Sequence, residues 1–185
     1  MQLNTLHMVH EFLHRHVKPG AFCIDATAGK GRDTALLCRL SGENGRVLAF
    51  DIQEDAVRQT RSLLEQENLS AEVFLESHTE MARYAEENTV DCIVFNFGRL
   101  PGGDPKIFTK SDTSVAAIAT GLRLLRPGGV MAIALYYGGA NSYDEKDAVL
   151  QYLETLDDRC YSVLACQWSN RRGDPPMPVF VWKER

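Results

Sequence analysis

The sequence lacks the features that mark a membrane protein, a disulfide scaffold or a strongly basic nucleic-acid binder. No stretch approaches the ~20 apolar residues of a membrane-spanning helix, and the longest apolar run, residues 130–137, has the length of a strand. The N-terminus has no apolar signal core. The five cysteines are scattered without a CxxC pair, which favours reduced thiols and a cytoplasmic location. The net charge of −5 argues against non-specific nucleic-acid binding.

The sequence does contain a regular alternation of two kinds of segment. Helix-like runs alternate with short apolar runs of strand length, which predicts a parallel sheet with helical crossovers. The last two strands have no helix between them and should pair antiparallel. We therefore expect one α/β domain over residues 1–185, Rossmann-like, with a mostly parallel seven-stranded sheet, helices on both faces and an antiparallel last strand. Predicted helices cover 4–16, 33–40, 54–67, 79–87, 112–125 and 143–157; predicted strands cover 21–26, 46–50, 71–75, 90–95, 130–136, 160–168 and 179–182.

A glycine-containing turn follows the first predicted strand. Asp25 ends that strand, and Gly29 and Gly31 lie in the turn that leads into the next helix. Glycines at this place let the backbone bend tightly and let a ligand approach the main chain. The second strand ends at Asp51, where a carboxylate is suited to hold the two hydroxyls of a ribose. Together these features predict a cofactor that contains a nucleoside.

Two cofactors compete for this turn. A dinucleotide favours GxGxxG, because its pyrophosphate rests on the helix N-terminus, but Thr34 occupies the third glycine position. S-adenosyl-L-methionine has no phosphate, and an acid such as Asp25 suits its cationic end. The chain also lacks the separate substrate domain typical of dehydrogenases. The sequence therefore favours an S-adenosylmethionine-dependent methyltransferase over a nicotinamide-dependent enzyme.

A second motif, Phe95-Asn96-Phe97-Gly98, ends the fourth predicted strand. Ligands of open α/β sheets bind beyond the carboxyl ends of the strands. Amino-methylating enzymes carry a (D/N)PP(Y/F) motif at this place, whose Asn or Asp oxygen accepts a hydrogen bond from the target amine. Asn96-Phe-Gly resembles that motif without its prolines, so we expect Asn96 to aim the amine at the methyl group. The alternative is a turn residue that caps the strand end.

Taken in order, the motifs resemble a bacterial rRNA methylase family that includes a tRNA 5-aminomethyl-2-thiouridine methyltransferase. They are Asp25-Ala-Thr-x-Gly-x-Gly-x-Asp-Thr34, Asp51-Ile-Gln53, His78, Asn96-Phe-Gly-x-Leu-Pro-Gly-Gly-Asp104, Thr109-Lys110 and Asn170…Pro175-Pro176. The resemblance covers almost the whole chain, with departures at Lys30, Arg99 and Gly139. It implies a class I methyltransferase fold, S-adenosyl-L-methionine as cofactor, and the amine of 5-aminomethyl-2-thiouridine at the tRNA wobble position as acceptor.

The resemblance and the motifs together give a set of expected site residues. The cofactor-binding set is Asp25, Thr27, Gly29, Gly31, Asp33, Thr34, Asp51, Gln53, His78 and Asn96. The catalytic pair is Asn96 and Asp104, with Asp104 taking or holding a proton of the amine. The substrate-binding set is Phe97, Arg99, Lys106, Tyr136, Arg171 and Arg172.

Several of these residues also have simpler interpretations. The two long loops contain five basic residues: Arg99, Lys106, Lys110, Arg171 and Arg172. They form either a basic rim for tRNA phosphates or scattered solvated charges. Phe97 and Tyr136 either stack on a splayed anticodon base or pack in the core. His78 either contacts cofactor or substrate, or is a partly exposed loop histidine. His7, His10 and His14 share a helical face without an evident further ligand, so no metal site is predicted.

Three other functions stay open at this stage. They are a methyltransferase acting on rRNA or a small amine, a nicotinamide-dependent enzyme, and an S-adenosylmethionine-binding regulator without turnover. The expected partners are the anticodon region of tRNA and, as an option, a second copy of the chain in a homodimer. No membrane partner is expected.

Overall fold

The computed structural model describes residues 3–98, 109–138 and 143–185 as an α/β fold. Helices and strands alternate from the N-terminus onward, as the sequence pattern predicts. The helices are α1 (Thr5–His16), α2 (Arg32–Ser41), α3 (Glu54–Gln66), α4 (Ser111–Leu124) and α5 (Tyr143–Glu154), with a 3-10 helix at His78–Arg83. The strands are β1 (Phe22–Asp25), β2 (Arg46–Asp51), β3 (Glu72–Leu75), β4 (Val90–Phe97), β5 (Leu125–Leu135), β6 (Tyr161–Ala165) and β7 (Met177–Lys183).

One seven-stranded sheet organises these elements, in the order β3-β2-β1-β4-β5-β7-β6. The strands β1 to β5 run parallel, and β7 pairs antiparallel with both β5 and β6. The predicted fold class is confirmed, including the antiparallel last strand. The chain order reverses between β1 and β4, and such a switch point opens a crevice at the carboxyl ends of the strands.

Two hydrophobic clusters cover the two faces of the sheet, because the central strands are apolar on both sides. One cluster packs β4 and β5 against α4 and α5, and Ile93, Phe95 and Ile118 are fully buried in it. The other packs α1 and α2 on the opposite face. In that second cluster the Phe12 ring stacks on Phe180 of β7 at 4.4 Å between centroids. Helices on both faces leave the carboxyl ends of the strands as the place where polar groups can collect.

Two local predictions differ from the structure. The predicted helix at 79–87 is a 3-10 helix that ends at Arg83, because the segment buries only Met81 and has no apolar stripe to sustain an α-helix. The predicted stop at 126–129 is part of β5, which begins at Leu125. Gly129 makes this continuation fit, since a Cβ there would stand 3.0 Å from the Val90 carbonyl oxygen.

No helix among the described residues is long and apolar enough to cross a membrane. All five cysteines are unpaired in the structure. Burial raises the pKa of the Cys23 thiol to about 12 and that of Cys38 to about 11, so these thiols are protonated near neutral pH.

Candidate active site

The residues that the sequence analysis singled out follow successive strands at one edge of the sheet. Asp25 ends β1, Asp51 ends β2, and His78 follows β3. Asn96 lies near the end of β4, and Tyr136 follows β5. Because β1 to β5 are parallel, their carboxyl ends meet at the same edge. The fold therefore collects these polar groups around the switch point between β1 and β4.

Asp25 lies beneath the glycine turn and organises it from inside. Its side chain is fully buried. One carboxyl oxygen accepts the Thr27 N–H at 3.1 Å, and the other accepts the Thr34 hydroxyl at 2.6 Å. Burial raises the pKa of Asp25 to about 7; the nearby Asp33 carboxylate adds to the rise, and the two hydrogen bonds oppose it. Asp25 and Thr34 thus shape the turn, and their direct contact with a cofactor stays a prediction.

The turn itself is tied to the end of β2 and to α3. Asp51 accepts the Gly29 N–H at 2.9 Å through one oxygen and the Gln53 N–H at 2.9 Å through the other. Burial raises the pKa of Asp51, and these backbone hydrogen bonds oppose the rise. Gly31 has a φ of +78°, and a Cβ there would stand 2.8 Å from the Thr60 Cα, so only glycine fits. The turn is therefore held in one shape, with the Asp51 carboxylate half-buried beside it.

Asn96 is hydrogen-bonded through both its backbone and its side chain. Its backbone N–H donates to the Thr27 hydroxyl at 2.7 Å, and its side-chain Nδ2 donates to Asp33 at 2.6 Å. The second Asp33 oxygen lies 2.6 Å from Nε2 of His10 on α1. The alternative of a turn residue capping the strand end does not describe this side chain, which bonds across the sheet to α2. Its catalytic role stays a prediction.

The predicted aromatic residues have different surroundings. Phe97 is fully buried and stacks on Phe95 at 4.9 Å between centroids, which fits core packing. Tyr136 is half-buried. Burial raises the pKa of its phenol, and the negative charge of Asp33 raises it further. Of the two, Tyr136 has the surroundings that suit contact with a base.

His78 lies edge-on to Phe95 and Phe97, with centroids 6.2 and 6.0 Å away. Its Nε2 atom is buried and has no hydrogen-bond partner, the only such side-chain atom among the described residues. Burial lowers the pKa of His78, and the backbone of Ala26 and of Thr113 opposes that shift. A neutral ring with an unsatisfied nitrogen is a group that a ligand can complete.

The long connection after β4 begins and ends in a closed pair of hydrogen bonds. The Gly98 N–H donates to the Thr109 hydroxyl at 2.9 Å, and the Thr109 N–H donates to the Gly98 carbonyl oxygen at 3.2 Å. Arg99, Asp104 and Lys106, predicted as substrate-binding or catalytic residues, lie outside the described residues. Their proposed roles stay predictions.

Of the predicted basic rim, Lys110, Arg171 and Arg172 lie among the described residues. Lys110 and Arg172 are exposed. The Arg171 guanidinium lies over the Trp168 ring, 3.5 Å from the centroid, and donates to the Leu3 carbonyl oxygen. Arg171 is thus engaged in packing the N-terminus, whereas Arg172 is not held by a protein partner among the described residues.

Sequence reasoning missed two residues at this edge. His10 was weighed only as a metal ligand, and its partner Asp33 lies in another helix that no local pattern connects to it. Ile52 is 58% exposed between Asp51 and Gln53, an apolar side chain placed where a flat ring could pack. The sequence shows an isoleucine directly after the strand-ending acid but does not show that it is exposed. No cluster able to hold a metal ion occurs in the part of the chain that the structure describes.

Comparison with known proteins places this geometry among methyltransferases. A crystal structure described as an rRNA-methylase from Clostridium thermocellum superposes with a TM-score of 0.95, at 36% identity over 99% of both chains. A methyltransferase from Streptococcus mutans, solved in complex with SAH, superposes with a TM-score of 0.89, at 35% identity over 99% of both chains.

The curated relatives agree. The chloroplastic tRNA (mnm(5)s(2)U34)-methyltransferase of Arabidopsis thaliana is 33% identical over 95% of this chain and 67% of its own length. The ubiquinone/menaquinone biosynthesis C-methyltransferase of Klebsiella pneumoniae is 30% identical over 63% of this chain and 43% of its own length. A family model described as "Putative rRNA methylase" matches residues 47–182. With most of its length matched by that model, the chain belongs to this methylase family.

Proposed function

We propose that this protein transfers a methyl group from S-adenosylmethionine to the amine of 5-aminomethyl-2-thiouridine at the wobble position of tRNA. The coarser statement is that the chain is an S-adenosylmethionine-dependent methyltransferase, as its homologues and solved neighbours are. The finer proposal rests on one observation above all: Asn96, at the switch point, is anchored through its Nδ2 atom, which leaves its oxygen as the acceptor.

The residues at the sheet edge fit the cofactor. Asp51 has accepting capacity beyond its backbone hydrogen bonds, which suits a ribose hydroxyl. Exposed Ile52 offers an apolar surface for the adenine ring, and the buried Nε2 of His78 lacks a partner that a ligand could supply. The cofactor prediction is confirmed by the SAH complex of the Streptococcus protein and by the methyltransferase relatives. The nicotinamide alternative is set aside by the same findings.

The reaction needs a neutral amine aimed at the methyl carbon. S-adenosylmethionine supplies a methyl group on a sulfonium; the amine nitrogen bonds to its carbon, and the sulfur–carbon bond breaks with its electron pair left on sulfur. The Asn96 oxygen accepts one N–H of the amine, so that the nitrogen lone pair points away from the carboxamide. The methylated amine carries a positive charge and loses a proton to water or to a base; for that base we retain Asp104. Positioning of this kind accounts for a large share of such a rate.

The substrate is supported by three lines. The curated tRNA methyltransferase of Arabidopsis is 33% identical to this chain over 95% of the chain's length. The Asn96 motif suits an amine, independently of that resemblance. Tyr136, half-buried beside Asp33, and the exposed cations Lys110 and Arg172 provide groups suited to a base and to phosphates. A cytoplasmic location, the anticodon contact and a homodimer stay predictions.

The direct test is methyl incorporation into tRNA that carries 5-aminomethyl-2-thiouridine, at saturating cofactor and tRNA. Asn96→Ala is expected to lower turnover by roughly 10²-fold or more, the scale of a lost positioning contact. Asn96→Asp should retain more activity than Asn96→Ala, because it keeps an oxygen acceptor at the same reach. Cofactor affinity should change much less than turnover in both, since most of the residues predicted to hold the cofactor lie at and after the ends of β1 and β2.

A matched control is Asn44→Ala, an exposed asparagine in the turn before β2, at the opposite edge of the sheet. It should leave turnover at the wild-type level. Mass spectrometry of tRNA nucleosides from a deletion strain then identifies the natural product. Two results together would replace this substrate with the alternative. The unmethylated 5-aminomethyl nucleoside would fail to accumulate in that strain, and the pure protein would methylate rRNA or a free amine.

A further inference from the structure

The carboxamide of Asn96 is fixed in one orientation by a group on another element. Its Nδ2 atom lies 2.6 Å from Oδ2 of Asp33, in the first turn of α2. An ionised carboxylate only accepts hydrogen bonds, so the nitrogen of the carboxamide must face Asp33 and the oxygen must face away. No donor among the described residues reaches that Asn96 oxygen. The orientation therefore presents an acceptor, and not a donor, to whatever binds beside β4.

Asp33 is held in its turn by His10. The Asp33 Oδ1 atom lies 2.6 Å from Nε2 of His10, and the Asp33 side chain is 7% exposed against 30% for His10. A carboxylate in the first turn of a helix is also favoured by the helix dipole. Both Asp33 oxygens are thus engaged by protein groups, one toward α1 and one toward β4. The series His10–Asp33–Asn96 joins three elements that are far apart in sequence.

We propose that Asp33 and His10 are positioning residues for methyl transfer, which act by holding the Asn96 oxygen toward the acceptor amine. The proposal rests on the function proposed above for Asn96. It gives Asp33 a role different from the cofactor contact that its place in the glycine motif predicts. His10, on a helix outside that motif, gains a role that no sequence pattern indicates.

The physical reason lies in the near symmetry of a carboxamide. Its oxygen and its NH2 group have similar size, so without Asp33 the group can turn over at little steric cost. The turned orientation offers N–H donors to the amine, and these compete for the nitrogen lone pair that must attack the methyl carbon. Removing Asp33 should therefore lower turnover while the cofactor still binds.

Two substitutions at position 33 separate positioning from other roles. Asp33→Ala removes the acceptor, whereas Asp33→Asn can still accept the Asn96 N–H through its own oxygen. We expect Asp33→Ala to lower kcat by about 10-fold or more, with the S-adenosylmethionine KM within about 2-fold of wild type. Asp33→Asn should recover part of that loss. His10→Gln should give a smaller loss than Asp33→Ala, because it acts one step further from the amine.

The decisive measurement is a double-mutant cycle. In an Asn96→Ala background, Asp33→Ala should cause no further loss of kcat, because the residue through which it acts is gone. Additive losses, or an S-adenosylmethionine KM that rises in step with the loss of kcat, would show that Asp33 binds the cofactor directly and would overturn the proposal. The control variants are His14→Gln, an exposed histidine one turn further along α1, and Asp55→Asn, an exposed acid in the first turn of α3. Both should behave as wild type.

A readout that needs no tRNA keeps this inference separate from the proposed substrate. In the 15N spectrum of the SAH-bound protein, the side-chain NH2 signals of Asn96 are identified by their loss in Asn96→Asp. They should move in Asp33→Ala and in His10→Gln, and stay in place in His14→Gln and Asp55→Asn. If they do not move, the series does not hold the carboxamide and the inference fails. If they move but the wild-type protein leaves 5-aminomethyl-2-thiouridine unmethylated, the positioning stands and the substrate proposal fails.

Discussion

Asp25 is a carboxyl group that the fold buries completely, and none of its hydrogen-bond partners among the described residues carries an opposing charge. Its partners are a backbone N–H and the Thr34 hydroxyl, which satisfy its oxygens but do not neutralise it. Burial raises the pKa of Asp25 from 3.8 to about 7, with a further contribution from Asp33. The folded protein therefore keeps a proton that the unfolded chain releases at lower pH.

This shift has a definite sign for stability. Between pH 3.8 and about 7 the folded state binds more protons at Asp25 than the unfolded state, so this group's contribution falls as pH rises through that window. Asp25→Asn removes the titration and can keep one acceptor oxygen. We expect the free energy of unfolding of Asp25→Asn to rise relative to that of the wild type as pH rises through this window, by on the order of a few kcal/mol.

Urea unfolding of cofactor-free protein at several pH values measures this difference. Asp91→Asn serves as a comparison, because Asp91 lies at the other end of the sheet and pairs with Arg126. If the difference between wild type and Asp25→Asn is the same at all pH values, Asp25 is ionised in the fold throughout the window.

The residue scale also shows where sequence reasoning stops. The strand-ending acids and the glycine turn could be predicted, because each motif is local and has its own backbone requirement, as at Gly31. The pairing of Asp33 with both His10 and Asn96 could not, since it joins residues that are 23 and 63 positions apart. Hydrophobic periodicity predicts which face of a helix or strand a residue occupies. It does not predict which polar groups meet at the carboxyl ends of the strands.

Among the elements, the connection from β4 to α4 is anchored where it leaves β4 and where it reaches α4. Gly98 and Thr109 close its base through two hydrogen bonds. Behind them, the buried Glu145 of α5 accepts the Ser114 hydroxyl at 2.5 Å and also bonds Thr109. Burial raises the pKa of Glu145, and these hydrogen bonds oppose the rise. The beginning of α4 is thereby held against α5, beside the end of β4.

Thr109→Val tests whether this closed base serves the reaction. The change keeps the shape of the side chain but removes both the acceptor of the Gly98 N–H and the hydrogen bond to Glu145, each worth about 1 kcal/mol. We expect faster hydrogen exchange at the Gly98 amide and a fall in kcat/KM for tRNA of several-fold, with S-adenosylmethionine affinity unchanged. Thr155→Val, which removes a hydroxyl bonded to the Tyr152 carbonyl at an exposed helix end, is the control. Equal effects of the two variants on kcat/KM would show that the base of the connection is not specifically used.

Element boundaries illustrate a second limit of the sequence pattern. Proline and two glycines at 127–129 were predicted to separate helix from strand, yet β5 runs through them. Its pairing with β4 shifts register there, with Val90 opposite Leu125 and Cys92 opposite Val130. Gly129 brings the backbone close to the Val90 carbonyl oxygen of β4, a tertiary reason that local propensity does not contain. The directions of the strands could nevertheless be predicted, because helical crossovers join parallel strands and a connection without a helix joins antiparallel ones.

At the scale of the whole molecule, acidic side chains outnumber basic ones. The chain carries a net charge of −5, so attraction to a polyanion must come from a restricted set of cations. Arg172 and Lys110 are exposed, whereas Arg171 is stacked on Trp168. The two arginines, treated alike in the sequence analysis, are therefore expected to behave differently.

Arg172→Ala should weaken tRNA binding and reduce the slope of log Kd against log salt by about 1, the change expected for one lost phosphate contact. Its thermal stability should match the wild type. Arg171→Ala should instead lower the free energy of unfolding by roughly 0.5–1 kcal/mol, because a cation–π contact is lost. Filter binding over a salt series and thermal unfolding measure both quantities. A salt slope that changes only in Arg171→Ala would reverse the assignment.

The hydrogen bond between the Asn96 N–H and the Thr27 hydroxyl has a consequence for redesign. It ties the end of β4 to the glycine turn after β1, so neither segment can be replaced without the other. A chimera that received the β4 end of a relative but an alanine at position 27 would bury a backbone N–H without its partner, at a cost of about 1–3 kcal/mol. Redirecting this scaffold to a new acceptor would therefore require both segments to be transplanted as a pair.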